Sequence, residues 1–169
     1  MEKLTDAETN ALHEALDDEY QSWSIYDQVI ADFGEVRPFI NIRDAEARHI
    51  EALRTLYMRY GVPIRENIWV GKVERYSSVQ AACEASVAAE IANGELYERL
   101  FKPELRADIV TVLRNLQQAS LERHLPAFQR CAQGGGGQDG GQGAGRGAGQ
   151  GQGQGAGRGQ GRGLGRRSE

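Results

Sequence analysis

Cysteine is nearly absent from the chain: there are two in 169 residues, 48 positions apart. That excludes a disulfide scaffold, a zinc ribbon and a rubredoxin-type iron centre. Long apolar runs are missing too. No stretch approaches the roughly 18 uninterrupted apolar residues of a membrane span, and Met1–Tyr20 is too acidic for a signal peptide. Basic charge falls short of acidic, 20 against 24, and the deficit is uneven. Residues 134–169 hold 18 of the 22 glycines, five arginines, six glutamines and no aromatic, for a charge of +3. Residues 1–133 keep fifteen basic and twenty-two acidic side chains, a net −7 that argues against a globular nucleic-acid-binding face. A half-glycine segment cannot bury enough apolar surface to offset its conformational entropy, so 134–169 is expected to be a disordered Gly/Gln/Arg-rich tail. The remaining residues 1–133 suffice for one domain with one core.

Before Gly134 there are only four glycines and four prolines, and most fall where helical patterns stop. Thr5-Asp6-Ala7-Glu8 has the form of a capping box, and apolar residues then recur at steps of three and four through Leu12, Leu16, Trp23, Tyr26, Ile30 and Phe33 up to Gly34. A second helical face after Pro38 runs through Phe39, Ile42, Leu53, Leu56 and Tyr60 to Gly61. A third follows Ser77-Ser78 through Val79, Cys83, Val87, Ile91, Tyr97 and Phe101. A fourth, with Pro103 in its first turn, carries Ile109, Leu113, Leu116, Leu121, Phe128 and Cys131, and Pro126 should kink or loosen its last turns. The chain is therefore expected to be all-α, with four helices and no strand pattern. The connections at 34–37 and 102–103 are short, which makes their flanking helices antiparallel neighbours. The connection at 61–77 could span up to about 56–61 Å when extended, against roughly 30 Å for a helix of about 20 residues. It is long enough to cross the full bundle and leave helices two and three parallel.

Each helix interrupts its apolar face with ionisable side chains near mid-length: Glu19 on the first, Glu46 and His49 on the second, Glu90 on the third, His124 on the fourth. Three unpaired buried carboxylates would cost on the order of a domain's whole stability of about 5–15 kcal/mol. No lysine or arginine shares these stripes, so bound cations are the remaining compensation. Carboxylate oxygen with imidazole nitrogen suits iron, manganese or zinc. The most specific element is Glu46-Ala47-Arg48-His49, because Glu and His three apart project from one helical face.

With these residues in place, residues 4 to about 131 resemble the ferritin-like superfamily, which includes rubrerythrins and bacterioferritins, and look closest to an uncharacterised prokaryotic branch of it. The family pattern is a Glu, a Glu-x-x-His, a Glu and a second Glu-x-x-His from successive helices. The resemblance implies that Glu19, Glu46, His49, Glu90 and His124 are metal ligands, with Glu46 the bridge between two metals. The chain departs from it at Leu121, where the family has its last Glu; Glu122, about 100° round the helix, should face away. Three carboxylates leave two divalent cations with a positive excess unless another anion joins. Either an asymmetric two-metal site with an open position near His124 or a single tightly held metal is permitted, and the first is the preferred reading.

The resemblance further implies a cytoplasmic non-haem iron protein with two irons per chain, Mn or Zn being the substitutes. Its chemistry would be iron(II) oxidation, or reduction of dioxygen or peroxide as in rubrerythrins, with no catalytic residue apart from the ligands. A reductase would need an external electron donor. A homodimer is compatible with this reading, no membrane is involved, and the tail lacks the aromatics that stack on bases. The competing reading is a non-catalytic metal-binding or metal-sensing module with a single Zn, Mn or Fe ion. Tyr20, Tyr26 and Tyr97 read as large core side chains, Trp23 and Trp69 as core and crossover anchors, and His13 as a surface residue. Cys83 and Cys131 are expected at one end of the bundle, as buried small hydrophobes rather than a redox pair.

Overall fold

The computed structural model describes residues 3–102 and 104–135, all helix and connection, with no strand among them. Pro103 and residues 136–169, hence nearly all of the tail, lie outside the described residues. Helix α1 spans Asp6–Phe33. The expected capping box forms: the Thr5 amide donates to Glu8 Oε2 at 2.8 Å while Thr5 Oγ1 accepts from the Glu8 amide at 3.2 Å. Helix α2 spans Phe39–Tyr60 and stops at Gly61, whose φ of 66° is the left-handed conformation that glycine adopts without Cβ strain. Helix α3, Val79–Leu100, starts on the Ser78 hydroxyl, which accepts from the Ala81 amide at 3.1 Å.

The fourth helical stretch is not uniform. Helix α4 spans Ala107–Ala119, Ser120–His124 form a π-helical turn, and α5 spans Leu125–Arg130 before a last wide turn, Cys131–Gly135. The cause is Pro126 in the first turn of α5, since proline lacks an amide proton and its ring clashes with the carbonyl four residues back. The Leu125 amide instead reaches the Ser120 carbonyl, a span of five residues. The expected loosening is thus real, but it lies upstream of the proline.

Two apolar clusters hold the helices together. The first gathers Leu12 and Leu16 of α1, Leu53, Leu56 and Tyr57 of α2, Tyr97 and Leu100 of α3, and Ile109, Leu113 and Leu116 of α4. The second gathers Tyr26 and Val29, Phe39 and Ile42, Ala82 and Cys83, and Phe128 and Cys131. α1 and the α4–α5 stretch therefore meet the first cluster before the second, while α2 and α3 meet them in the reverse order. The connection between α2 and α3 is tied along α1: Tyr20 Oη donates to the Arg65 carbonyl at 3.1 Å, Asn67 Nδ2 to Ser24 Oγ at 3.0 Å, and Trp69 Nε1 to Asp17 Oδ1 at 3.0 Å. Trp69 is the crossover anchor that was expected; Trp23 is only half-buried and is no core residue. Nor is Ile91, which stands 45% exposed.

Cys83 and Cys131 are joined in a buried disulfide, with Cα atoms 5.9 Å apart, so they are not free apolar fillers. The bond closes a loop of 48 residues and ties α3 to the end of α5. By chain entropy it contributes about 4 kcal/mol. The C83A/C131A double variant is accordingly expected to unfold well below the wild type in a thermal scan, and equal melting temperatures would show the bond to be energetically idle. No helix among the described residues is long and apolar enough to cross a membrane.

Candidate metal centre

Between the two apolar clusters lies a polar layer, and every helical stretch contributes to it. Glu19 falls between Leu16 and Tyr26, Glu46 and His49 between Ile42 and Leu53, Glu90 between Cys83 and Tyr97, and His124 between Leu116 and Phe128. All five predicted residues are brought together. Glu19, Glu46, Glu90 and His124 are buried and His49 is half-buried. Their donor atoms form two triads, Glu19–Glu46–His49 and Glu46–Glu90–His124, within each of which the atoms lie no more than 4.8 Å apart. A transition cation with bonds of about 2.0–2.2 Å holds its donors within about 4.4 Å, so each triad needs only a slight contraction to enclose one.

Glu46 belongs to both triads. Its Oε2 lies 2.7 Å from His49 Nδ1, and its Oε1 lies 3.2 Å from His124 Nδ1. Glu19 Oε2 is 3.2 Å from His49 Nδ1, and Glu90 Oε1 is 3.6 Å from His124 Nδ1. The two imidazoles stack with centroids 5.5 Å apart, one over each half of the site. His124 Nδ1 is buried and makes no hydrogen bond. A lone pair or N–H left so is costly unless something else occupies its direction.

Around the triads, hydroxyls aim the carboxylates. Tyr97 Oη donates to Glu19 Oε1 at 2.5 Å, Tyr26 Oη donates to Glu90 Oε1 at 2.7 Å, and Ser120 Oγ donates to Glu90 Oε2. Tyr26 and Tyr97 are thus both core side chains and partners of the site, whereas Tyr20 is a core side chain that ties down the connection. Burial, followed by the nearby carboxylate charges, pushes both the Tyr26 and Tyr97 phenols well above their ordinary range, so they stay protonated donors.

The acids behave unequally. Burial, then the charge of Glu46, raises the Glu19 carboxyl well above its usual value. Burial acts the same way on Glu46, but His124 and His49 outweigh it and hold Glu46 below its usual range. Burial alone would lower both imidazoles; the facing carboxylates prevail and lift His49 to about 10 and His124 to about 9. Protons therefore do in the metal-free chain what cations could do. Among the described residues, no lysine or arginine is buried in this layer.

Sequence reasoning gave three participants no role, although Ser120 lies on the stripe that leads to His124. Half-buried Asp18 is raised to about 6, first by burial and then by Glu46 and Glu90, against the hydrogen bond that Asn93 Nδ2 donates to it. Asn93 and Ser120 are the others. The signal lay in spacing, since Asn93 follows Glu90 by three and Ser120 precedes His124 by four, but no apolar pattern marks such residues. Leu121 does not stand in the site at all. It caps Gly94 of α3, where a Cβ would come within 2.6 Å of Leu121 Cδ2. Glu122 is exposed, as expected, and accepts from Gln118 Nε2 at 2.9 Å. The widened turn gives the place one turn before His124 to Ser120. His13 is half-buried against Tyr57, with ring centroids 5.8 Å apart.

A cavity of about 340 Å³ reaches both imidazoles from outside. Arg48 and Arg123 border it, and Ile42 and Ala127 are among its apolar walls.

The chain is similar in structure to a hypothetical protein, MJ0754, from Methanococcus jannaschii DSM 2661, with a TM-score of 0.69 and 19% identity over 79% of this chain and 84% of that one. At that identity the two share a fold. No family model and no curated protein matches the chain.

Proposed function

We propose that the protein is a ferritin-like four-helix bundle holding a non-haem metal centre, with two cations per chain and iron the preferred metal. Its chemistry would be oxidation of iron(II), or reduction of dioxygen or peroxide. The bundle reading is supported by the order in which the helices meet the two apolar clusters: α2 and α3 run the same way, joined by the long connection, and each is opposed to its short-looped neighbour. The observation that carries the functional reading is Glu46, whose two oxygens address two different histidines within overlapping triads. The residues also fit a cation on a second count, because His124 Nδ1 is buried without a hydrogen bond beside two carboxylates. Oxygen and imidazole donors of this kind suit iron, manganese and zinc.

Within this reading Glu19 and His49 would hold one cation and Glu90 and His124 the other, with Glu46 shared between them. A redox-active pair would supply the two electrons that peroxide reduction requires. The chain's own contribution is placement. Tyr97 and Tyr26 fix the Glu19 and Glu90 carboxylates by donating to one oxygen of each, leaving the second oxygen of Glu19 toward His49. Both apolar clusters exclude water from either end of the layer. The two cysteines are bonded to each other, so an electron donor for a reductase must come from outside.

The single-ion alternative draws on the unequal burial of the triads: Glu46, Glu90 and His124 are all buried, whereas His49 is partly open. Metal stoichiometry and turnover separate the two. The expected result is two transition-metal ions per chain in protein purified without chelators, and iron(II) added under air consumed with dioxygen uptake faster than in buffer. One redox-silent ion per chain would favour the alternative, and a chain that takes up no transition metal would overturn both.

A further inference from the structure

The cavity above the imidazoles is bordered by basic side chains, although the domain as a whole is acidic. Arg48 and Arg123 are each adjacent in sequence to a histidine of the site, and both border the cavity. Arg43, Arg59, Arg75 and Arg99 are paired with acidic side chains. Among the described residues, Arg48 and Arg123 have no such partner, though both are exposed on a surface rich in acids. Two unneutralised guanidinium groups thus flank one concave site, while Ile42, Ala45 and Ala127 make part of its wall apolar. A volume of about 340 Å³ sits at the small end of the range of about 300–1,000 Å³ common to ligand sites.

Charge within the site points the same way. Two divalent cations exceed the three carboxylates Glu19, Glu46 and Glu90 by one positive charge, and the place one turn before His124 holds the neutral Ser120 rather than a fourth carboxylate. We propose that this cavity binds a small organic carboxylate, held by Arg48 and Arg123, that balances the charge of the metal centre. The inference rests on the metal reading above. Guanidinium and carboxylate match in planar, two-point hydrogen bonding. The apolar wall favours a short alkyl body over a bare inorganic oxyanion. Two ring protons leave the metal-free site one charge short of its three carboxylates, whereas two divalent cations leave it one positive, so cation and anion favour each other's binding. Such coupling is reciprocal: if the cation tightens the anion, the anion tightens the cation equally.

The test uses the full chain with Mn(II) as the metal alone, free Mn(II) being counted by its paramagnetic resonance signal. Titrations are run with butyrate, formate or inorganic phosphate, or with no anion, at constant ionic strength. Saturating butyrate is expected to tighten Mn(II) binding by wild type about tenfold, within the usual range of coupling between sites. Formate should do less, since each methylene lost from an apolar wall weakens binding up to about fourfold. The R48Q/R123Q variant should still bind Mn(II) without anion, with equal or somewhat higher affinity, and should lose the butyrate effect. Metal binding that ignores butyrate, or a double variant that responds as wild type does, overturns the inference while leaving the metal reading intact. A phosphate effect as large as that of butyrate overturns the assignment to an organic carboxylate. Failure of wild type to take up Mn(II) before any anion is added is the separate signature of a failed metal reading.

Discussion

Replacing Glu46 with glutamine is expected to empty both cation positions at once, whereas Glu19→Gln and Glu90→Gln should each remove close to one ion per chain. The difference follows from geometry: Glu46 alone belongs to both triads, one oxygen facing each histidine. Loss of merely an outer partner of a ligand commonly weakens metal affinity by about 10- to 100-fold; loss of a ligand costs more, and a shared carboxylate takes that loss in both positions. Glutamine keeps the volume, so packing between the two clusters should survive. The helical circular dichroism spectrum of E46Q should therefore match that of wild type. Elemental analysis of the three variants decides the matter. Two ions retained by E46Q would exclude Glu46 as a bridge. A single ion lost from E46Q and from Glu90→Gln but kept by Glu19→Gln would fit the one-ion alternative instead.

Metal uptake is expected to expel protons and to tighten steeply with pH. With no metal present, His49 is lifted to about 10 and His124 to about 9, by carboxylates that outweigh the effect of burial, so both rings are cationic at neutral pH. Ligation needs the neutral ring. Every ring proton displaced makes the apparent affinity rise about tenfold per pH unit between roughly pH 6 and pH 8. Proton release into a weakly buffered indicator solution on addition of Zn(II) checks this, and no release would show that the rings do not ligate. The same groups govern the stability of the metal-free chain. A raised histidine stabilises the fold fully below its ordinary 6.5, and that contribution disappears as pH climbs through about 9 and 10. Glu46, held low, stabilises above its usual 4.5 and ceases to do so in acid. Glu19, raised by burial and by Glu46, acts in the opposite sense, since ionising it above 4.5 weakens the fold. Melting temperature without metal is thus expected to fall on the alkaline side of neutrality, and added cation should reverse the fall.

What could be read from the sequence was whatever spacing along one helix expresses. The Thr5–Glu8 cap, the stop at Gly61 and the Glu46–His49 pair are local, and the structure places all of them as expected. The convergence of Glu19, Glu90 and His124 on that pair was legible because each interrupts an apolar face, and a buried acid demands a partner. The third helix was harder. Between Cys83 and Tyr97 its inward residues are Ser86, Glu90, Asn93 and Gly94, small or polar, so the apolar pattern there falls on Ile91, which points to solvent. Contacts between helices were not legible either. The sequence puts Cys83 and Cys131 at one end of the bundle, but it does not tell that they bond, that Asn93 reaches Asp18, or that Leu121 lies over Gly94. Those depend on how one helix is rotated against another, and packing of the whole core sets that rotation.

The π turn has a consequence for the phase of the last helix. From Leu116 the inward side chains follow at Ser120, His124 and Phe128. On a regular helix each step of four overshoots a full turn by about 40°, so three steps carry the face about 120° away from where it began. A single π turn absorbs one additional residue, about 100° of rotation, and nearly cancels that drift. Serine, histidine and phenylalanine can then share one bearing, and Cys131 arrives opposite Cys83. A chain shorter by one residue anywhere in 120–124 could align the upstream half of this helix or its downstream half, never both.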